Sequence, residues 1–145
     1  MRRCNALGPI LGWAAHMAKS SMDNRMAQYE ITAAQNRVLM YLHHLEKPAP
    51  QCEVAEHLRV KPSTANGILD RMVDKGLVER TVSGQDALRR LISITEKGIA
   101  QCERTKEEFR AVEEQLVRGF TPEEEALLRR LLGRIIENLE EGQTC

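Results

Sequence analysis

The sequence predicts a mainly α-helical chain with one small β-hairpin. Three observations carry that expectation. Apolar residues fill 42% of the 145 positions but aromatics only 3%, a supply that suits packed helices better than a broad sheet. Apolar positions recur at i, i+3, i+4 and i+7 in several stretches. That period breaks over LVERTV (77–82) and RRLISI (89–94), both short and rich in β-branched residues.

Taken in order, the first helix is expected from near Leu7 to Tyr29, with Leu7, Ile10, Leu11, Ala14, Met17, Ala18 and Met22 at helical spacing. The opening MRRCNALGPILGWAAHMA loosely imitates a signal peptide. Gly8, Pro9, Gly12 and His16 interrupt its apolar run, and the helical spacing continues past any cleavage point, so a packed amphipathic helix is expected instead. No run is long enough for a transmembrane helix, and no membrane partner is expected.

Thr32 and Gln35 have the spacing of a capping box, opening a second helix with Val38, Leu39, Leu42 and Leu45 on one side. KPAP (47–50) should stop it, since proline removes a backbone donor and restricts its predecessor. Gln51–Leu58 reads as a short helix with Val54, Ala55 and Leu58 inward. After the turn Arg59–Lys61, Pro62 suits the first position of a next helix burying Ala65, Ile68, Leu69, Met72 and Val73, and Lys75-Gly76 suits its end.

The two β-branched stretches then form a hairpin around the loop SGQDAL. Thr95 opens a long polar helix to roughly Arg118. Thr121, Pro122 and Glu124 give a second capping box with proline at the first helical position. The last helix carries a wide stripe, Leu127, Leu128, Leu131, Leu132, Ile135, Ile136 and Leu139. Left exposed it would aggregate, so it is expected to be buried, preferably against another subunit.

The 21 basic and 21 acidic residues cancel, but unevenly: residues 1–50 hold six and three, 51–98 eight and seven, 99–145 seven and eleven. Any DNA surface must therefore be local. Cys4, Cys52, Cys102 and Cys145 form no CxxC pair and have no histidine at metal-like spacing, which suits reduced cytoplasmic thiols and no metal or other cofactor. There is no nucleophile–base pair and no Gly-rich phosphate loop, so an enzyme is not expected.

Two short helices joined by a tight turn and followed by a hairpin make a winged helix-turn-helix, whose second helix enters the major groove. On that helix Ser63, Asn66, Gly67 and Asp70 face outward, flanked by Thr64 and Arg71. A helical glycine costs roughly 1 kcal/mol relative to alanine. At Gly67 the missing side chain lets the backbone approach DNA and leaves room for Asn66, whose amide can pair with adenine. Ser63, Thr64 and the nearby Lys61 suit phosphate. The alternative is that Asn66 and Gly67 are ordinary residues of a solvated face.

The motifs ITAAQNRVLMYL, VAEHLRVKPSTANGILDRMVDKGLVER, SGQDALRRLISITEKG and FTPEEEALLRRLL resemble, in order and spacing, those of the MarR family of transcriptional regulators. The resemblance covers nearly the whole chain from about residue 31. It implies a homodimer held by residues 1–30 and 99–145, with residues 31–98 as the winged domain, on a palindromic operator with half-sites roughly 34 Å apart. It implies a DNA-binding set including Gln51, Arg80, Asp86, Arg89 and Arg90, although the strand arginines could equally be solvated residues. Most members are repressors released by a small phenolic or lipophilic ligand or by thiol oxidation.

The sequence departs from the family pattern in three places. Leu88 stands where a wing arginine is usual after Asp86, with Arg89 and Arg90 as possible substitutes. Asn66-Gly67 replaces the common threonine and longer residue, so an atypical operator is expected. Pro50 replaces a hydroxyl residue before Gln51 and weakens that cap.

The resemblance places an effector pocket where dimer helices meet the winged domain, with Trp13, His16, Met17 and His43 as candidates; each could instead be ordinary core or surface. Cys4 and Cys52 are the candidates for a thiol sensor. A winged-helix adaptor for another protein, without specific DNA binding, is the alternative from a different class.

Overall fold

The computed structural model describes residues 5–82 and 89–141. Cys4, Asp86, Leu88 and Cys145, named above, lie outside the described residues. The chain divides into two compact units, Met1–Val112 and Glu113–Cys145.

In the first unit, helix α1 (Leu7–Met26) ends in a 3-10 turn, Ala27–Tyr29. The expected packing of α1 holds only at its C-terminal end in the single chain. Met26 is fully buried, whereas Leu7, Ile10, Trp13 and Met17 are exposed. Asp23 Oδ1 accepts from Ala33 N–H (2.6 Å) and so ties α1 to the start of α2 (Ala33–Leu45). The Thr32–Gln35 capping box forms in both directions.

Helix α2 stops at Leu45, one residue ahead of KPAP, because Glu46 turns left-handed (φ 58°). Ala49–Pro50 then forms a short strand, β1, that the sequence reading treated as a breaker. It pairs antiparallel with β3 (Arg90–Ile94), which also pairs with β2 (Val78–Val82), in the order β1-β3-β2.

Helices α3 (Gln51–Leu58) and α4 (Pro62–Asp74) fall where the periodicity put them. Val38, Leu39, Leu42, Val54, Leu69, Met72 and Ile92 bring α2, α3, α4 and β3 into one core. Ala65, Leu69 and Met72 are fully buried, while Ile68 and Val73, expected inside, are half-buried at its edge.

Helix α5 (Glu96–Leu116) opens with a clasp. Thr95 Oγ1 accepts from Gly98 N–H (3.0 Å) and donates to Gly76 O (2.6 Å). Gly98 has to be glycine, because a Cβ there would stand 2.3 Å from Leu77 O. Farther along, Thr105 Oγ1 donates to the buried Asn36 Oδ1 (2.9 Å), joining α5 to α2.

In the second unit, α6 (Pro122–Glu140) starts at the expected Thr121–Glu124 capping box. None of its residues is buried in the single chain; Leu127, Leu128, Leu131, Ile136 and Leu139 are exposed, from 37% at Leu128 to 66% at Leu139.

Candidate nucleic-acid interface

The turn between α3 and α4 sets the angle at which α4 is presented. Arg59 takes the left-handed conformation (φ 58°), which costs a non-glycine residue on the order of 1–2 kcal/mol. Two bonds offset that cost, Arg59 N–H to Glu56 O (3.1 Å) and Val60 N–H to Ala55 O (3.2 Å). Pro62 then starts α4 with φ already suited to a helix.

Because Ala65, Leu69 and Met72 point into the core, the 100° step of the helix turns Ser63, Thr64, Asp70 and Arg71 to solvent. Asn66 and Gly67 lie half-exposed on the same side. A Cβ at Gly67 would meet nothing within 4 Å, so the chain's own packing does not require the glycine. Lys61 is exposed just ahead of the helix, and Arg89 and Arg90 are exposed at the start of β3.

Asn66 is held from two directions. Its Oδ1 accepts from Gln51 Nε2 (3.1 Å) and, more weakly, from Arg90 Nη1 (3.5 Å). Gln51, in the first turn of α3, in turn accepts at Oε1 from Arg80 Nε (3.2 Å). Arg80 also pairs with Asp70 (Nη1 to Oδ1, 2.7 Å), and its Nη2 is buried without a hydrogen-bond partner. The family resemblance implies Arg80 as a DNA contact, with a solvated strand residue as the alternative. In the structure its guanidinium is turned back onto α4 and α3, because an acidic side chain and an amide oxygen lie within its reach.

An open groove of about 420 Å³ runs beside this network, lined by Pro50, Gln51, Cys52, Pro62, Arg89 and Arg90. Two arginines on its wall make it a place for an anionic strand. Of the sequence-predicted residues, the structure gathers Gln51, Asn66, Arg80 and Arg90 into bonded contact, with Arg89 on the groove wall beside Gln51 and Arg90. Lys61, Ser63, Thr64 and Arg71 lie near that cluster on exposed surface, with Gly67 half-exposed among them. Asp70 was read as merely outward-facing; its pairing with Arg80, ten residues away on another element, left no sequence signal.

The effector candidates separate. His43 lies 3.7 Å from Glu103 and lines a cavity of about 240 Å³ between α2 and α5, together with Asn36, Met40, Cys102, Thr105 and Phe109. Trp13, His16 and Met17 lie on α1 and do not line that cavity. Asn36 and Thr105, 69 positions apart in the chain, meet in the wall of that cavity only on folding. Cys52 is an exposed free thiol on the groove; the Cys102 thiol is free and half-buried, and burial, then Glu103, pushes its pKa up. Among the described residues no cluster of metal-ligating side chains is found, and no described helix is long and apolar enough to cross a membrane.

Comparison with known proteins agrees with this geometry. A family model described as MarR family matches residues 29–87. The multiple antibiotic resistance protein MarR of Escherichia coli (strain K12) is 30% identical over 131 residues, spanning 87% of this chain and 90% of that protein. The fold superimposes on S. aureus MepR in complex with DNA with a TM-score of 0.85 at 25% identity, covering 92% of this chain and 98% of that one. It superimposes on a mutant MarR from E. coli complexed with operator DNA with a TM-score of 0.81 at 27% identity, covering 89% and 92%. On sequence and fold together, this chain belongs to the MarR family, and it is a winged-helix, DNA-binding transcription regulator rather than an enzyme.

Proposed function

We propose that the protein is a cytoplasmic, ligand-responsive repressor that binds a palindromic operator as a homodimer. The outward face of α4 carries the reading: it holds a row of short polar side chains and an unneeded glycine, and Arg90, which with Arg89 lines the neighbouring groove, reaches Asn66 on that face. Ser63, Thr64 and Lys61 meet phosphate, α4 enters the major groove, and Arg89 and Arg90 hold the flanking backbone. The DNA complexes of MepR and of MarR, both similar to this chain, support it.

The dimer follows from the exposed apolar rows of α1 and α6, which a second copy would cover. In this reading residues 1–30 and 99–145 form the dimer and residues 31–98 form the winged domain. The cavity on His43, Met40 and Phe109 suits a small phenolic or lipophilic effector of about one ring. It lies between α2 and α5, so an occupant that wedges them apart shifts the helices carrying α4. Exposure of Cys52 on the DNA-facing groove favours one second reading, release by thiol oxidation.

The test is binding of the purified protein to duplex DNA while salt is raised. A regulator binds tightly at low salt, and the logarithm of its affinity falls linearly with the logarithm of salt. Indifference to DNA at low salt would leave the winged-helix protein adaptor as the better account. Sedimentation must show a dimer, and release by phenolic compounds or by oxidant separates the two effector readings.

A further inference from the structure

The hydrogen bonds joining the wing to the recognition helix fix which atom of Asn66 remains for a base. The chain starts at Arg80, because a guanidinium has donors and no acceptor. Arg80 Nε donates to Gln51 Oε1 at 3.2 Å, so Gln51 must turn its carbonyl toward the wing strand. The Gln51 amide nitrogen then faces α4 and donates to Asn66 Oδ1 at 3.1 Å. Arg90, another group with donors only, approaches the same oxygen at 3.5 Å. Two independent donors thus set one polarity. Rotating the Asn66 amide by half a turn would set its NH2 against the NH2 of Gln51 and the guanidinium of Arg90, with no acceptor among them.

We propose that Gln51 is a specificity-determining positioning residue. Backed by Arg80, it holds Asn66 with the carbonyl inward and Nδ2 outward, so that Asn66 reads a base acceptor, guanine first. Guanine presents two adjacent acceptors, N7 and O6, in the major groove. Adenine needs a carbonyl to accept from its N6 amino group as well as a donor for N7, and here that carbonyl is turned inward onto Gln51 and Arg90. The adenine pairing expected from the sequence is thereby replaced. The inference rests on the DNA-binding reading above.

The experiment is selection of bound sequences from random duplex DNA by the full-length wild type and two variants. The base pair concerned is the one whose preference Asn66→Ala abolishes. Wild type should enrich guanine there by roughly tenfold. In Gln51→Glu the carboxylate accepts from Arg80 and offers Asn66 no donor. Asn66 then turns its NH2 toward that carboxylate, an acceptor that outweighs the longer 3.5 Å contact from Arg90, and its carbonyl outward, and the preference moves to a base donor, adenine N6 or cytosine N4. The added negative charge lowers affinity for every sequence, so base identity is the readout. Gln51→Met fills the same space without polarity and should broaden the preference at that pair alone. Adenine enriched by wild type, or guanine retained by both Gln51 variants, overturns the inference while leaving the regulator reading intact. If wild type enriches no sequence, the DNA reading itself falls and takes the inference with it.

Discussion

Gly98 and Gly67 both sit inside helices, and the space around them differs completely. A side chain at Gly98 would collide with Leu77 O at 2.3 Å and with Ile94 Cγ1 at 2.8 Å, where α5 crosses the end of the turn leading into β2. A side chain at Gly67 would meet nothing within 4 Å. The first glycine serves the fold, since backbone on backbone cannot give way. The second brings the folded chain no contact and weakens α4 by roughly 1 kcal/mol relative to alanine. A helical glycine demanded by packing is identified by what it touches, whereas one reserved for a partner requires that the space beside it be left open. Gly12 and Gly133 share that open space, on α1 and α6, the helices assigned above to a second copy of the chain.

The largest effect expected from this contrast is at Gly98. Gly98→Ala should lower unfolding free energy by about 3 kcal/mol, through overpacking against an immovable carbonyl. Urea denaturation measures it, and the molecules that remain folded should bind DNA normally. A loss under about 1 kcal/mol would remove the distinction between the two sites.

Arg89→Ala combined with Arg90→Ala should act in the opposite sense. Both side chains are exposed, so stability should stay within about 0.5 kcal/mol. DNA binding should weaken for all sequences, and the salt slope should flatten by about two units. An unchanged slope would take the wing off the DNA.

The smallest effect is expected at His57, which belongs to the fold alone. Its ring stacks on Tyr41 at 4.2 Å, and burial, then Arg37 and Arg59, hold its pKa below the usual 6.5. The folded state thus favours the neutral ring. The associated stability is fully present above about pH 6.5, the unfolded value, and declines as pH falls from there through the lower folded pKa. His57→Phe keeps the stack and should remove that part of the decline in a series of melts from pH 7.5 to 5, values chosen to bracket the usual histidine range.

What the sequence made legible was local. The capping boxes at Thr32 and Thr121 span four residues each, and Pro62 announces a helix start by itself, so all three stand where expected. The buried face of α4 follows from a period that needs no partner to be seen. What remained hidden depended on distant partners. Ala49–Pro50 is a strand only because Ile92 and Leu91 lie alongside, and two residues including a proline carry no strand signal of their own. Arg80 reads as a free cation until Asp70 and Gln51 are brought to it, 10 and 29 positions away. The cavity on His43 draws its wall from α2 and α5, whose residues come together only on folding.

The central claim is that the outer face of α4 is shaped for a partner, and Gly67→Ala tests it most directly. The unfolding free energy and the affinity for a selected operator are measured on the same preparation. The account predicts opposite signs: a fold more stable by roughly 1 kcal/mol, and DNA binding weaker by roughly tenfold as the new methyl holds the backbone off the bases. A variant that gains the stability and binds the operator as tightly as before would contradict it.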